Sequence, residues 1–178
     1  PLDGTKEFIK KNDEFTINIA LIEYNQPVLG IIYAPAFGSL FFSKKNNGSY
    51  KIYTKNNLNT FKNSEKISVK YTNNEKIRVI GSRSHSNIAF DNWVKKKFTN
   101  FEIIEKGSSL KFCEIAEGKA DIYPRFGPTS EWDIAAGHII LLEAGGKLKT
   151  IDNKDLVYNK KEDILNPHFF AYAHDALL

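Results

Sequence analysis

Sulfur is nearly absent from this chain, which has one cysteine, Cys113, and no methionine. A lone cysteine excludes an intrachain disulfide and fits a reducing compartment. Cys113 lies inside an apolar helical pattern, the setting of a buried structural thiol rather than a nucleophile. With no cysteine partners for them, His138, His168 and His174 read as structural and point to no zinc site. Arginine is scarce as well: Arg78, Arg83 and Arg125 are the full complement, which argues against base reading by arginine forks. No apolar run approaches the ~20 residues that span a bilayer, and no signal-peptide pattern opens the chain. The missing methionine extends to position 1, where the chain begins in mid-motif with Pro1. The sequence therefore reads as a fragment of a longer protein, with an amino-terminal part not included.

What is present fits a globular protein. The 178 residues make one ordinary domain or two small lobes, with a core of useful size. Hydrophobic residues at 42% and charged residues at 26% are typical of that class. The net charge of +4 comes mostly from scattered lysines, the densest cluster being Lys95-Lys96-Lys97 on a solvated helix face. A small anionic substrate suits this balance better than a nucleic-acid track.

Along the chain, residues 6–11 predict a short helix, and residues 15–22 alternate as a half-buried strand does. A turn over 25–27 leads to a strand at 28–34, closed by Pro35. Strands at 39–43 and 49–53 flank the turn Asn46-Asn47-Gly48. Residues 54–64 read as a loop, and 67–71 as a short edge strand. From Lys76 the rhythm changes to strands at 77–81, 101–104 and 120–123, with helices at 87–98, 109–117 and 131–144. The inner face of the helix at 87–98 is expected to be Ile88, Phe90, Trp93 and Val94. Two further strands, 147–151 and 169–173, complete the pattern. An antiparallel meander lobe, residues 1–74, is thus expected before an α/β lobe, residues 75–178, with the boundary near Asn73-Asn74.

Two acidic motifs carry the chemistry. Pro1-Leu2-Asp3-Gly4-Thr5 opens the first helix. Gly4 permits a tight turn, free amides there can hold an anion, and Asp3 can hold a cation beside it. A turn with a cap is the plainer reading of these five residues. Ser130-Glu131-Trp132-Asp133-Ile134-Ala135-Ala136-Gly137 opens the longest helix. Ser130 and Asp133 match a capping box. Yet a second acid at a distant helix start is what a shared cation site needs, and Ala135, Ala136 and Gly137 would let a ligand or a backbone come close.

Together the two motifs resemble the signatures of the inositol monophosphatase superfamily, and further stretches resemble its 3'(2'),5'-bisphosphate nucleotidase branch. These are Ser82-Arg83-Ser84-His85, Gly107-Ser108-Ser109-Leu110-Lys111-Phe112-Cys113 and Tyr123-Pro124-Arg125-Phe126-Gly127-Pro128. The resemblance runs over nearly the whole chain. It implies a layered α+β and α/β sandwich of the inositol monophosphatase type. It also implies a cytoplasmic, Mg²⁺-dependent hydrolase that converts adenosine 3',5'-bisphosphate to AMP and phosphate, linked to sulfate assimilation, with loose association at the inner face of the cell membrane left open. By resemblance, the Leu2 carbonyl, Asp3 and Asp133 hold metal. Gly4 and Thr5 present amides to the scissile phosphate, and the Thr5 hydroxyl positions the water. Ser82, His85, Gly107, Ser108, Lys111 and Arg125 form the nucleotide end of the site. The family's motif begins with an aspartate before the proline and adds an upstream glutamate. Neither is in this sequence, so the fragment itself is expected to bind metal weakly and to have little activity. An inositol or sugar monophosphatase, or a non-catalytic nucleotide-binding protein, are the alternatives.

Overall fold

The computed structural model describes residues 2–54, 63–71, 76–83, 87–160 and 162–178. The expected lobe boundary at Asn73-Asn74 and most of the loop at 54–64 lie outside the described residues. The first sheet is an antiparallel meander of β1 (Leu2–Asp3), β2 (Thr16–Glu23), β3 (Gln26–Ala34), β4 (Ser39–Lys44), β5 (Ser49–Tyr53) and β6 (Glu65–Ile67), in that spatial order. The second comprises β7 (Ile77–Ser82), β8 (Phe101–Lys106), β9 (Ile122–Arg125), β10 (Lys147–Thr150) and β11 (Phe169–Tyr172). Its order is β10-β11-β9-β7-β8, with β7 parallel to both β8 and β9 and the β11 side antiparallel. Four α-helices are present among the described residues: α1 (Thr5–Ile9), α2 (Ile88–Lys97), α3 (Leu110–Ala116) and α4 (Glu131–Glu143).

Helices α3 and α4 fill the space between the sheets. On one side Leu110, Cys113, Ala136 and Ile140 join Ile32, Ala34 and Phe41 of the first sheet in one apolar cluster. On the other, Phe112, Ile134 and Leu141 join Ile122 and Phe169 of the second. The period-2 geometry of β11 then covers the far face of the second sheet. Phe169 stacks on Phe112 of α3 at 6.1 Å between ring centroids, while its neighbour Phe170 lies 4.9 Å from Trp93 of α2. The result is a layered α+β sandwich. Among the described residues, no helix is long and apolar enough to cross a membrane.

Several elements differ from the sequence expectation. β1 has two residues, too few to leave a pattern. The first hairpin turns at Tyr24 and Asn25, both left-handed, so β3 starts at Gln26 and Pro27 falls inside it. The register shift between Leu21 and Ile22, opposite Pro27, accommodates the missing N–H. β6 lies two residues earlier than the expected edge strand. β9 starts at Ile122 rather than Ala120, where the Asp121 carboxylate takes the Arg78 amide and guanidinium, and it runs on to Arg125 because Pro124 and Arg125 pair with Phe170 and Phe169 of β11. Ile88 is 80% exposed and not part of the inner face of α2, since Asn87 caps the helix there through the Ala89 amide.

In β2 the apolar alternation faces outward. Ile17, Ile19 and Leu21 are exposed, whereas Thr16, Asn18 and Ala20 face the helices. Small residues on that inner face let α4 approach closely. A methyl group at Gly30 would stand 2.6 Å from the Ala136 carbonyl, and one at Gly137 would stand 2.4 Å from the Phe112 ring. The small residues of α4 thus admit a strand and a helix.

Candidate active site

The first motif owes its shape to a change of direction. Leu2 and Asp3 pair with Ile17 and Thr16 of β2, and Gly4, at φ 84°, turns the chain directly into α1. A side chain at Gly4 would be strained by that φ and would press on Ser108 Cβ at 3.1 Å. The carboxyl of Asp3 is thereby held at the strand end. Its Oδ2 accepts from the Ser109 amide at 2.8 Å, and from Thr16 Oγ1 and Asn18 Nδ2 at 3.3 Å each. Among the described residues, no donor meets Oδ1. Burial raises the Asp3 pKa above the ordinary carboxylate value, Lys111 opposes that rise, and Asp133 adds to it.

Asp133 arrives from the other direction, in the first turn of α4. The capping box is present, with Asp133 Oδ2 accepting the Ser130 amide at 2.7 Å. The cap and the site are not alternatives, because the capped carboxylate still borders the same space as Asp3. Asp3, Gly4, Thr5, Ser82, Ser108, Lys111, Arg125 and Asp133 all line one cavity of about 280 Å³. Leu2, Asp3, Gly4, Thr5, Asn18, Trp132 and Asp133 line a smaller adjoining one of about 200 Å³.

The cationic wall is fixed by its surroundings. Lys111 is buried, its ammonium donating to the Ser108 carbonyl at 2.5 Å and lying 5.5 Å from the Tyr123 ring centroid. Burial lowers its pKa to about 8, with Asp3 opposing that shift and Arg125 adding to it. Arg125 donates to the Pro128 carbonyl at 2.8 Å. Its Nε, like the Ser108 hydroxyl, is buried with no hydrogen-bond partner among the described residues. Two unsatisfied donors beside a buried ammonium are what an oxyanion would meet.

The described residues contain no group of three or more His, Cys, Asp and Glu side chains placed to hold a metal. Asp3 and Asp133 border both cavities and Leu2 the smaller one, so the two carboxylates and the Leu2 carbonyl are the hard oxygen donors at their junction. Each carboxylate has one oxygen engaged by the fold. That matches a hard divalent cation that takes few protein ligands and completes its shell with water and phosphate oxygens.

Of the expected site residues, Gly107 does not line the cavity, because its amide donates to Glu14 Oε2 at 2.7 Å. His85 lies outside the described residues. Glu7, Thr129 and Tyr123 line the cavity without having been expected, and Thr16, Asn18 and Ser109 brace Asp3 from beneath. The signal that could have found the bracing residues is the polar alternation of Thr16 and Asn18 along an otherwise apolar strand.

Over residues 1–178 the sequence matches the inositol monophosphatase family. The chain belongs to that family. Among its relatives is the 3'(2'),5'-bisphosphate nucleotidase CysQ of Buchnera aphidicola, 46% identical over 175 residues, a match covering 97% of this chain and 62% of the relative. CysQ of Salmonella typhimurium is 41% identical over 169 residues, covering 95% and 64%. The crystal structure of CysQ from Bacteroides thetaiotaomicron superposes with a TM-score of 0.89 at 43% identity, covering 97% of this chain and 68% of that one. The chain thus spans less than two thirds of the length of these curated relatives, and its layered sandwich is that of the inositol monophosphatase family.

Proposed function

We propose that the protein carrying this chain is a cytoplasmic, Mg²⁺-dependent phosphatase. In this reading it removes the 3'-phosphate of adenosine 3',5'-bisphosphate to give AMP and phosphate, clearing a by-product of sulfate assimilation. The observation that carries the reading is the meeting of Asp3 and Asp133 with Lys111 and Arg125 in one cavity. Similarity to the nucleotidases named above supports the nucleotide as substrate. So does a second cavity of about 400 Å³ that shares Ser82, Tyr123, Arg125 and Pro128 with the first. Phe90, Ile103 and Phe126 line that second cavity, giving it the apolar surface that a nucleoside requires.

Each residue then has a task. Magnesium, held by Asp3, Asp133 and the Leu2 carbonyl, would supply charge neutralisation and acidity for the attacking water. Gly4 and Thr5 turn their amides to the 3'-phosphate, and the Thr5 hydroxyl orients the water for in-line attack. Lys111 and Arg125 hold phosphate oxygens by charge-assisted hydrogen bonds. Water oxygen bonds to phosphorus, the P–O3' bond breaks, and a water proton ends on O3'.

The test uses the protein at its full natural length with Mg²⁺, offered adenosine 3',5'-bisphosphate or inositol 1-phosphate, and measures released phosphate. Faster turnover of the nucleotide is expected. Faster turnover of the inositol ester would overturn the substrate assignment, and no turnover of either would overturn catalysis.

A further inference from the structure

Glu14 lies between α1 and β2, outside both motifs, yet two distant segments that flank the cavity, at Arg83 and at Lys106–Gly107, converge on its carboxylate. Oε2 accepts Arg83 Nε at 2.9 Å and the Gly107 amide at 2.7 Å, and Oε1 accepts Arg83 Nη2 at 3.0 Å. Lys106 Nζ stands 3.7 Å from Oε1. These partners are 69 and 93 residues away in sequence for Arg83 and Gly107. The Glu14 side chain is only 7% exposed. Burial pushes its pKa up, but Arg83, Gly107 and Lys106 outweigh it and hold the carboxyl below the ordinary value.

The backbone of Glu14 is equally enclosed. A methyl group at Gly107 would come within 2.9 Å of the Glu14 carbonyl, and one at Gly4 within 3.2 Å. Glu14 is therefore wedged between the glycine of the first motif and the turn before α3. Arg83 directly follows Ser82, and Gly107 directly precedes Ser108, and both serines line the cavity. The carboxylate thus ties the end of β7 and the β8–α3 turn to the α1–β2 connection, which packs against Gly4 at the start of α1.

We propose that Glu14, with Arg83 as its partner, is a positioning residue that sets the spacing of Ser82 and Ser108 against Gly4 and Thr5. The proposal rests on the cavity being the substrate site. The bidentate geometry demands a carboxylate at this reach. In Glu14→Gln one oxygen becomes an NH₂ that faces a donor, either Arg83 or the Gly107 amide.

The experiment measures kcat and KM for full-length wild type, Glu14→Gln, Glu14→Asp and Arg83→Lys, on whichever of the two phosphate esters above the wild type hydrolyses. Ratios to wild type keep this test separate from the substrate assignment. If wild type hydrolyses neither ester, binding of inorganic phosphate is compared by calorimetry instead. Rates are divided by the folded fraction from urea unfolding under the same conditions. Expected are KM values raised about tenfold in Glu14→Gln and Arg83→Lys, with kcat changed less than threefold, and no rescue by Glu14→Asp. If Glu14→Gln does not fold, Arg83→Lys, whose side chain is partly exposed, decides alone. Values of kcat/KM (or phosphate affinity) within twofold of wild type after correction for folded fraction would overturn the proposal, as would rescue by Glu14→Asp.

Discussion

The Asp3 carboxylate accepts the amide of Ser109 across 106 residues of sequence, at 2.8 Å. That bond joins the end of β1 to the start of α3. Beneath it, Ser109 Oγ lies 2.7 Å from Asn18 Oδ1 and 2.8 Å from Thr16 Oγ1. Asn18 Oδ1 can only accept, so the Ser109 hydroxyl donates to it, and the single proton of Thr16 is shared between Ser109 Oγ and the more distant Asp3 Oδ2. The network holds one oxygen of Asp3 while burial penalises its charge.

Replacing that charge separates function from stability. Asp3→Asn keeps the shape and an acceptor for the Ser109 amide, and it relieves the desolvation of a buried carboxylate. The expected result is a rate lowered by at least about 100-fold, with a urea midpoint in the presence of chelator equal to or above wild type. A clearly lower midpoint would mean that the charge itself supports the fold.

Asp133 permits a sharper separation, because one of its oxygens caps α4. In Asp133→Asn the side-chain carbonyl can still accept the Ser130 amide, so the helix start survives while an anionic ligand is lost. Activity at saturating Mg²⁺ should nearly vanish with the unfolding midpoint unchanged. Asp133→Ala removes the cap as well and should cost about 1 kcal/mol more in stability. Phosphate release and urea titration of the two variants check both expectations, and retained turnover in Asp133→Asn would refute its role as a metal ligand.

The meander was legible because its strands alternate and its turns carry asparagine and glycine. The helices α3 and α4 were legible from apolar runs stopped at Gly118 and Gly145, both of which take left-handed backbone. The strand ends at Pro27 and Pro124 are set by partners distant in sequence: a register shift at Leu21 and Ile22 of β2 admits Pro27, and pairing with Phe170 of β11 carries β9 through Pro124. Asp3 and Asp133 were visible as motifs, since each sits beside its own turn or cap. The supports of the site were not, because Thr16, Ser109, Glu14 and Gly107 meet only once two sheets have closed on α3 and α4. Nothing local in the sequence records a hydrogen bond between residues 93 or 106 positions apart.

A buried histidine sets the acid side of stability. His138 on α4 is enclosed, with Nδ1 2.8 Å from the Tyr158 hydroxyl. Burial lowers its pKa from 6.5 to about 4, with Asp155 opposing the shift and Lys149 adding to it. Between those values the unfolded chain binds a proton that the folded chain refuses. Stability from this residue is therefore full above pH 6.5, falls as the pH drops through the window, and levels off below about pH 4. The loss should be on the order of 3 kcal/mol across the window. Urea unfolding at pH 7, 6 and 5 should show the decline in wild type and a shallower one in His138→Gln. Parallel curves would show that His138 is not the group responsible.

Gly30 links the packing of α4 to the chemistry at its start. It lies in β3 beneath the helix, where an added methyl group would stand 2.4 Å from Ile139 Cγ2 and 2.6 Å from the Ala136 carbonyl. Ile139 can rotate aside, but the carbonyl belongs to the helix backbone and can yield only if α4 moves. Gly30→Ala should therefore cost about 1–3 kcal/mol through overpacking. Because Asp133 rides on the first turn of the same helix, displacement of α4 should also move it relative to Asp3, whose position is fixed by β1 and Ser109. The expected signature is a higher Mg²⁺ requirement for activity, measured on the folded fraction, alongside the lower urea midpoint. Loss of stability with an unchanged Mg²⁺ requirement would show that the helix tilts without carrying its first turn.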